Sequence, residues 1–181
     1  LAAASSNAGN NASLFDLTDT NGSPAPVREY RLDIYFVSPC REANDNGACL
    51  DDVPALKRLE MPSGNLVTIA DGIEDLQIDY GVDENRDGTP DPVGGELYDA
   101  DPAASIGPSL ATQDGRDRWA NVVAARIHVL ARSLEPSPGY TDTKTYEMGT
   151  AAVRGPFEDN IKRHVFSSAV RATNVSSRRE S

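Results

Sequence analysis

Trp119-Ala120-Asn121-Val122-Val123-Ala124-Ala125-Arg126-Ile127-His128-Val129-Leu130-Ala131-Arg132 is the stretch on which the fold turns. It is the most apolar part of the chain, and its length suits either a helix or a strand. Val123, Ala125, Ile127, Val129 and Ala131 recur at every second position, while Arg126, His128 and Arg132 share the opposite face. That period of two, with its β-branched content, predicts a central strand whose apolar face is inside and whose arginines and His128 lie at the surface. Glu135-Pro136-Ser137-Pro138-Gly139 then ends it, because proline cannot continue a ladder.

Working outward, the same alternation recurs. Tyr30, Leu32, Ile34 and Phe36 oppose Glu29, Arg31 and Asp33 in a half-buried strand over Arg28 to Val37. Leu56 to Met61 and Leu66 to Ala70 read as two short strands around the turn Pro62-Ser63-Gly64-Asn65. Leu76, Ile78, Tyr80 and Val82 form another, and Lys144 to Met148 and Lys162 to Thr173 two more. Residues 92–116 read as a long loop. Residues 1–26 read as a linker or lead-in, 27–174 as one antiparallel β-domain of about seven strands with long loops, and 175–181 as a polar tail.

Composition narrows the function. The chain has 181 residues, is 39% apolar and carries a formal net charge of −11. That acidity argues against binding a phosphate backbone. No apolar run approaches the roughly 20 residues that cross a bilayer, and no cleavable signal peptide is visible. Because the chain begins at Leu1 and not at a methionine, a processed or engineered fragment is expected.

The chemistry concentrates in Asp83-Glu84-Asn85-Arg86-Asp87-Gly88-Thr89-Pro90-Asp91. Oxygen-bearing side chains at Asp83, Asn85, Asp87 and Asp91 fall on alternate positions, Gly88 offers a tight turn and Thr89 a backbone carbonyl. A hard cation such as Ca²⁺ takes six to eight such oxygens. The bidentate glutamate of a full EF-hand is missing, since Gly94 occupies its place; Glu96 and Asp99 are candidates to close the shell. Between Asp71 and Asp101 eleven acids stand against one base, Arg86, a local charge of −10 that repels itself unless cations screen it. A solvated acidic turn is the alternative reading.

Cys40 and Cys49 flank a turn-rich loop, Asn44-Asp45-Asn46-Gly47, which suits a small disulfide in an oxidising compartment, with two reduced thiols as the alternative. His128 and His164 come with no nucleophile-elbow or zinc-helix motif, so no catalytic residue is expected. A lone Trp119 heading an apolar strand reads as core before it reads as a partner anchor.

Four blocks, Tyr30 through Cys40 with Cys49 and Leu56-Lys57-Arg58-Leu59, Gly72 to Asp83, Trp119 to Ile127 with Leu130-Ala131-Arg132, and Tyr140 to Tyr146 with Arg163 to Arg171, together resemble the globular part of the PilW family of type IV pilus minor pilins. The resemblance runs from 28 to 174 and implies an α+β pilin-like fold. It also implies a non-enzymatic role: priming pilus assembly at the inner membrane, then sitting at the extracellular pilus tip with other minor pilins beneath a PilY-type adhesin, in support of adhesion and twitching motility. Family members begin with a basic leader and a long hydrophobic helix, which this sequence lacks and through which alone a membrane would be met. A J-type pseudopilin of type II secretion and a secreted calcium-dependent adhesion module are the alternatives.

Overall fold

The computed structural model describes residues 31–92, 96–101, 112–150 and 152–172. Contacts divide the chain into two units, Leu1–Leu32 and Asp33–Ser181. The lead-in over 1–26, the first residues of the expected strand at Arg28, and the tail over 175–181 lie outside the described residues.

The elements run β1 (Leu32–Ser38), β2 (Ala55–Met61), β3 (Asn65–Asp71), β4 (Ile73–Val82), α1 (Gln113–Ala120), β5 (Val122–Arg132), β6 (Tyr146–Met148), β7 (Ala152–Arg154) and β8 (Arg163–Arg171). They build two three-stranded sheets, ordered β1-β2-β3 and β4-β5-β8, and the small hairpin β6-β7. Every pairing with a resolved register is antiparallel. Among the described residues the domain is thus mostly antiparallel sheet with one short helix. The described strands exceed the expected seven by β7, whose three residues are too few to show a period.

β5 is the central strand that its alternation predicts, paired with β4 on one side and β8 on the other. The two sides of that strand differ from expectation. His128, expected at the surface, is buried at 7% exposure, and Leu130 beside it on the same face packs against Tyr146, Met148 and Val165. Ile127 and Val129, expected inside, are half-buried, and their face continues to Phe166 and Val170, which are exposed. Apolarity alone misjudged the face because His128 bonds Ser167 through Nδ1 and Arg132 pairs with Glu74, which offsets part of the cost of burying them, although among the described residues His128 Nε2 and Arg132 Nε have no hydrogen-bond partner.

Trp119 also departs from expectation. It sits in the last turn of α1, not at a strand head, and packs edge-on against Tyr80 with ring centroids 4.8 Å apart. Thr112 caps this helix by accepting a bond from the Gly115 N–H at 3.1 Å. The expected loop over 92–116 therefore holds the start of a helix.

Candidate functional site

β4 feeds directly into the acidic loop. Asp83 N–H donates to the Asn121 carbonyl at 2.9 Å and Asp91 N–H to the Val82 carbonyl at 2.8 Å, which closes the loop at its base. Asp83, fully buried, turns inward: its carboxylate accepts from the N–H groups of Arg86 (2.6 Å), Asp87 (3.2 Å) and Gly88 (3.1 Å). Asp91 accepts from the N–H groups of Glu84 (2.7 Å) and Asn85 (3.0 Å). Asn85 accepts from Asp87 N–H at 2.8 Å, and its amide donates to Asp87 at 3.2 Å and to Asp91 at 3.0 Å. Thr89 donates to Asp87 through both N–H and hydroxyl, which holds the Asp87 carboxyl below its ordinary value. Gly88 has the expected positive φ, 87°, and its carbonyl accepts from Arg171 of β8 at 3.0 Å.

The structure thus brings Asp83, Asn85, Asp87, Thr89 and Asp91 into one small loop. An ionised carboxylate offers about four acceptor sites, so N–H bonds and a cation can share it. Among the described residues no three acid, histidine or cysteine side chains are grouped to hold a metal. A cation here therefore has to draw on Asn85 and on backbone carbonyls as well as on carboxylates, the mixed donor set that hard ions accept. Asp99, considered as a closing ligand, is tied by its backbone to Tyr80 (2.7 and 3.0 Å), and its side chain accepts from Asp101 N–H at 3.1 Å.

The wider acidic band is partly neutralised in a way the sequence order conceals. Asp71 lies 3.6 Å from Arg41, Glu84 3.1 Å from Arg118, Glu74 3.5 Å from Arg132, and Asp75 2.5 Å from Arg154. Arginines from four distant segments meet acids from one. These arginines screen part of the local negative charge without a metal.

Arg163 makes the densest of these contacts. Its side chain, 2% exposed, bonds Glu74 through Nε and Nη2 (2.5 and 3.0 Å), Asp159 through both terminal nitrogens (2.7 Å each) and Asp142 through Nη1 (3.0 Å), while its guanidinium stacks 3.8 Å from the Phe157 ring centroid. Burial pulls the Arg163 pKa down, but the bonds to Asp159, Glu74 and Asp142 outweigh it and raise it. Burial pushes Asp142 up, but bonds from Tyr146, Arg163 and Tyr140 hold it below its ordinary value. Tyr146 is pushed well up, first by burial and then by its bond to Asp142. The cluster ties β4, β8 and the 133–162 connection together.

His128 sits between Ser167, whose hydroxyl is 2.8 Å from Nδ1, and Asp79, whose carboxylate is 3.6 Å from Nε2. Asp79 is itself engaged by Thr150, which donates through its N–H at 3.0 Å. Gly149 allows this, since a Cβ there would strike the Asp79 carboxylate. The Ser167–His128–Asp79 row runs along one face of the sheet from exposed Ser167 on β8 to buried Asp79 on β4, and it joins β6's turn to β4 and β5. His164 is exposed and meets the Phe166 ring edge-on, with centroids 4.6 Å apart. Cys40 and Cys49 are joined in the expected disulfide, with Cα atoms 5.6 Å apart. Among the described residues no helix is long and apolar enough to cross a membrane.

The sequence profile of the PilW family, described as type IV pilus-assembly protein W, matches residues 34–174, well over half of the chain. No curated protein and no solved structure matches.

Proposed function

We propose, from the premise that this chain belongs to the PilW family of type IV pilus-assembly proteins, that it is the globular domain of a minor pilin. The family is one of assembly proteins and not of enzymes, and its role fits a place in the cell envelope. Together with other minor pilins the domain primes filament assembly at the inner membrane. It then stays at the tip, beneath a PilY-type adhesin, and no chemical step is required of it. The observation that carries this reading is the family match over 34–174, which covers both sheets and is not confined to one motif. The Cys40–Cys49 bridge supports it, because such bonds persist outside the reducing cytosol. Deleting the gene and counting surface pili tests it. Pili should be lost or sharply reduced, restored by the native gene, and labelled at the tip by an antibody to this domain. Unchanged piliation, or label spread along the filament, would sink the reading.

The loop over 83–91 is the part of this proposal that concerns calcium. Its donor oxygens, its buried Asp83 and its ready-made turn at Gly88 support an extracellular calcium site that stiffens the entry to β5, since Asp83 is bonded to Asn121 just before that strand. Melting the protein with calcium and with a chelator tests it, and identical melting temperatures would remove calcium from the account.

A further inference from the structure

A groove of about 650 Å³ lies between the disulfide loop and the β2–β3 sheet. Its lining includes Lys57, Leu50, Leu66, Glu42 and Asp45. Lys57 is 6% exposed, yet among the described residues its ammonium has no hydrogen-bond acceptor and no carboxylate within ion-pair distance. Strand alternation places this side chain on the groove side of β2. Leu50 and Leu66 are 65% and 53% exposed, so two large apolar side chains stand open beside one unanswered positive charge.

From this juxtaposition we infer that the groove binds a partner polypeptide through a carboxylate that pairs with Lys57 and an adjacent apolar side chain that covers Leu50 and Leu66. The charge pattern selects the ligand. Glu42 and Asp45, both exposed, repel a polyanion such as nucleic acid, whereas a single carboxylate can reach Lys57 between them. The volume suits several residues of chain and exceeds what a lone small acid fills. The site lies on the first sheet, remote in sequence from the 83–91 loop, and does not depend on calcium.

The test uses two capped tripeptides, acetyl-Leu-Asp-Leu-amide and acetyl-Leu-Asn-Leu-amide, titrated into the ¹⁵N-labelled chain. The aspartate peptide should shift amides of the 41–50 loop and bind at least about tenfold more tightly than its asparagine twin, the difference one charge-assisted bond makes. Lys57→Met should erase that preference while leaving the melting temperature equal or higher. Leu66→Glu, at an exposed position, should also weaken the aspartate peptide. Equal binding of the two peptides, shifts confined to other surfaces, or no shifts at millimolar peptide would overturn the inference. So would self-association abolished by Lys57→Met, which assigns the groove to a second copy of this chain.

Discussion

The loop at 83–91 and the cluster around Arg163 both restrain carboxylates, but by opposite means. In the loop, Asp83, Asp87 and Asp91 are held by backbone N–H groups and a threonine at most seven residues away. Around Arg163, one guanidinium gathers Glu74, Asp142 and Asp159, and its bond to Glu74 spans 89 residues of sequence. The first arrangement buries Asp83 but leaves Asp87 exposed and Asp91 half-buried. The second buries Arg163 and Asp142, leaves Asp159 partly exposed, and holds β4, β8 and a long connection together. Acids of the same type thus divide between a locally bonded turn and a structural lock, and the supply of arginine decides which.

Removing the lock should have the largest effect. Arg163→Met leaves Asp142, fully buried, without its cation, and such a loss costs about 3–5 kcal/mol. Urea denaturation should show this as a lower midpoint. A loss under about 1 kcal/mol would mean the cluster is decorative. Acid should reach the same lock. The carboxyls of Asp142 and Asp159 are held below their ordinary value of 3.8, so their contribution is complete above that value and is lost as pH falls through the folded-state value. On the alkaline side Tyr140 and Tyr146 are raised above 10.0, so theirs is complete below pH 10 and lost as pH rises beyond it. Melting temperature against pH should therefore form a plateau that falls away below about pH 4 and above about pH 10. In Arg163→Met the acid limb should be shallower.

Calcium should act on the other region alone. With an affinity of about 10 μM, 1 mM calcium adds about 2.7 kcal/mol by mass action. Asp87→Ala should remove that gain, whereas Arg163→Met should keep it in full because the two regions share no ligand. A calcium response lost in Arg163→Met would break the separation between them.

The same contrast explains what could be read in advance. β4, β5 and the β2–β3 hairpin were legible because a strand with one apolar face writes a period of two, and Pro62-Ser63-Gly64-Asn65 announces its turn. Cys40–Cys49 and the loop geometry at Gly88 were legible because they are local. The Arg163 cluster and the Ser167–His128–Asp79 row were not, since nothing near Arg163 or His128 marks the partners that antiparallel pairing of β4, β5 and β8 delivers. The inward face of β5 was misjudged for the same reason: His128 looks like a surface residue until Ser167 and Asp79 are placed beside it. α1 left a faint trace in Thr112, a capping residue whose helix is too short to show a period.

The smallest effect sharpens the comparison most. Gly88 adopts φ of 87°, a region that costs an L side chain about 1–2 kcal/mol, so Gly88→Ala should lower stability by about that amount. Its N–H bonds Asp83 and its carbonyl accepts from Arg171, so the turn is fastened on both sides and cannot relax freely toward negative φ. If calcium organises the same turn, the penalty should grow when calcium is present, because the ion then holds the strained backbone more firmly and binds it less well. An equal penalty with calcium and with chelator would show that the turn at Gly88 is set by Asp83 and Arg171 alone. The loop would then be, like the cluster, a purely structural device.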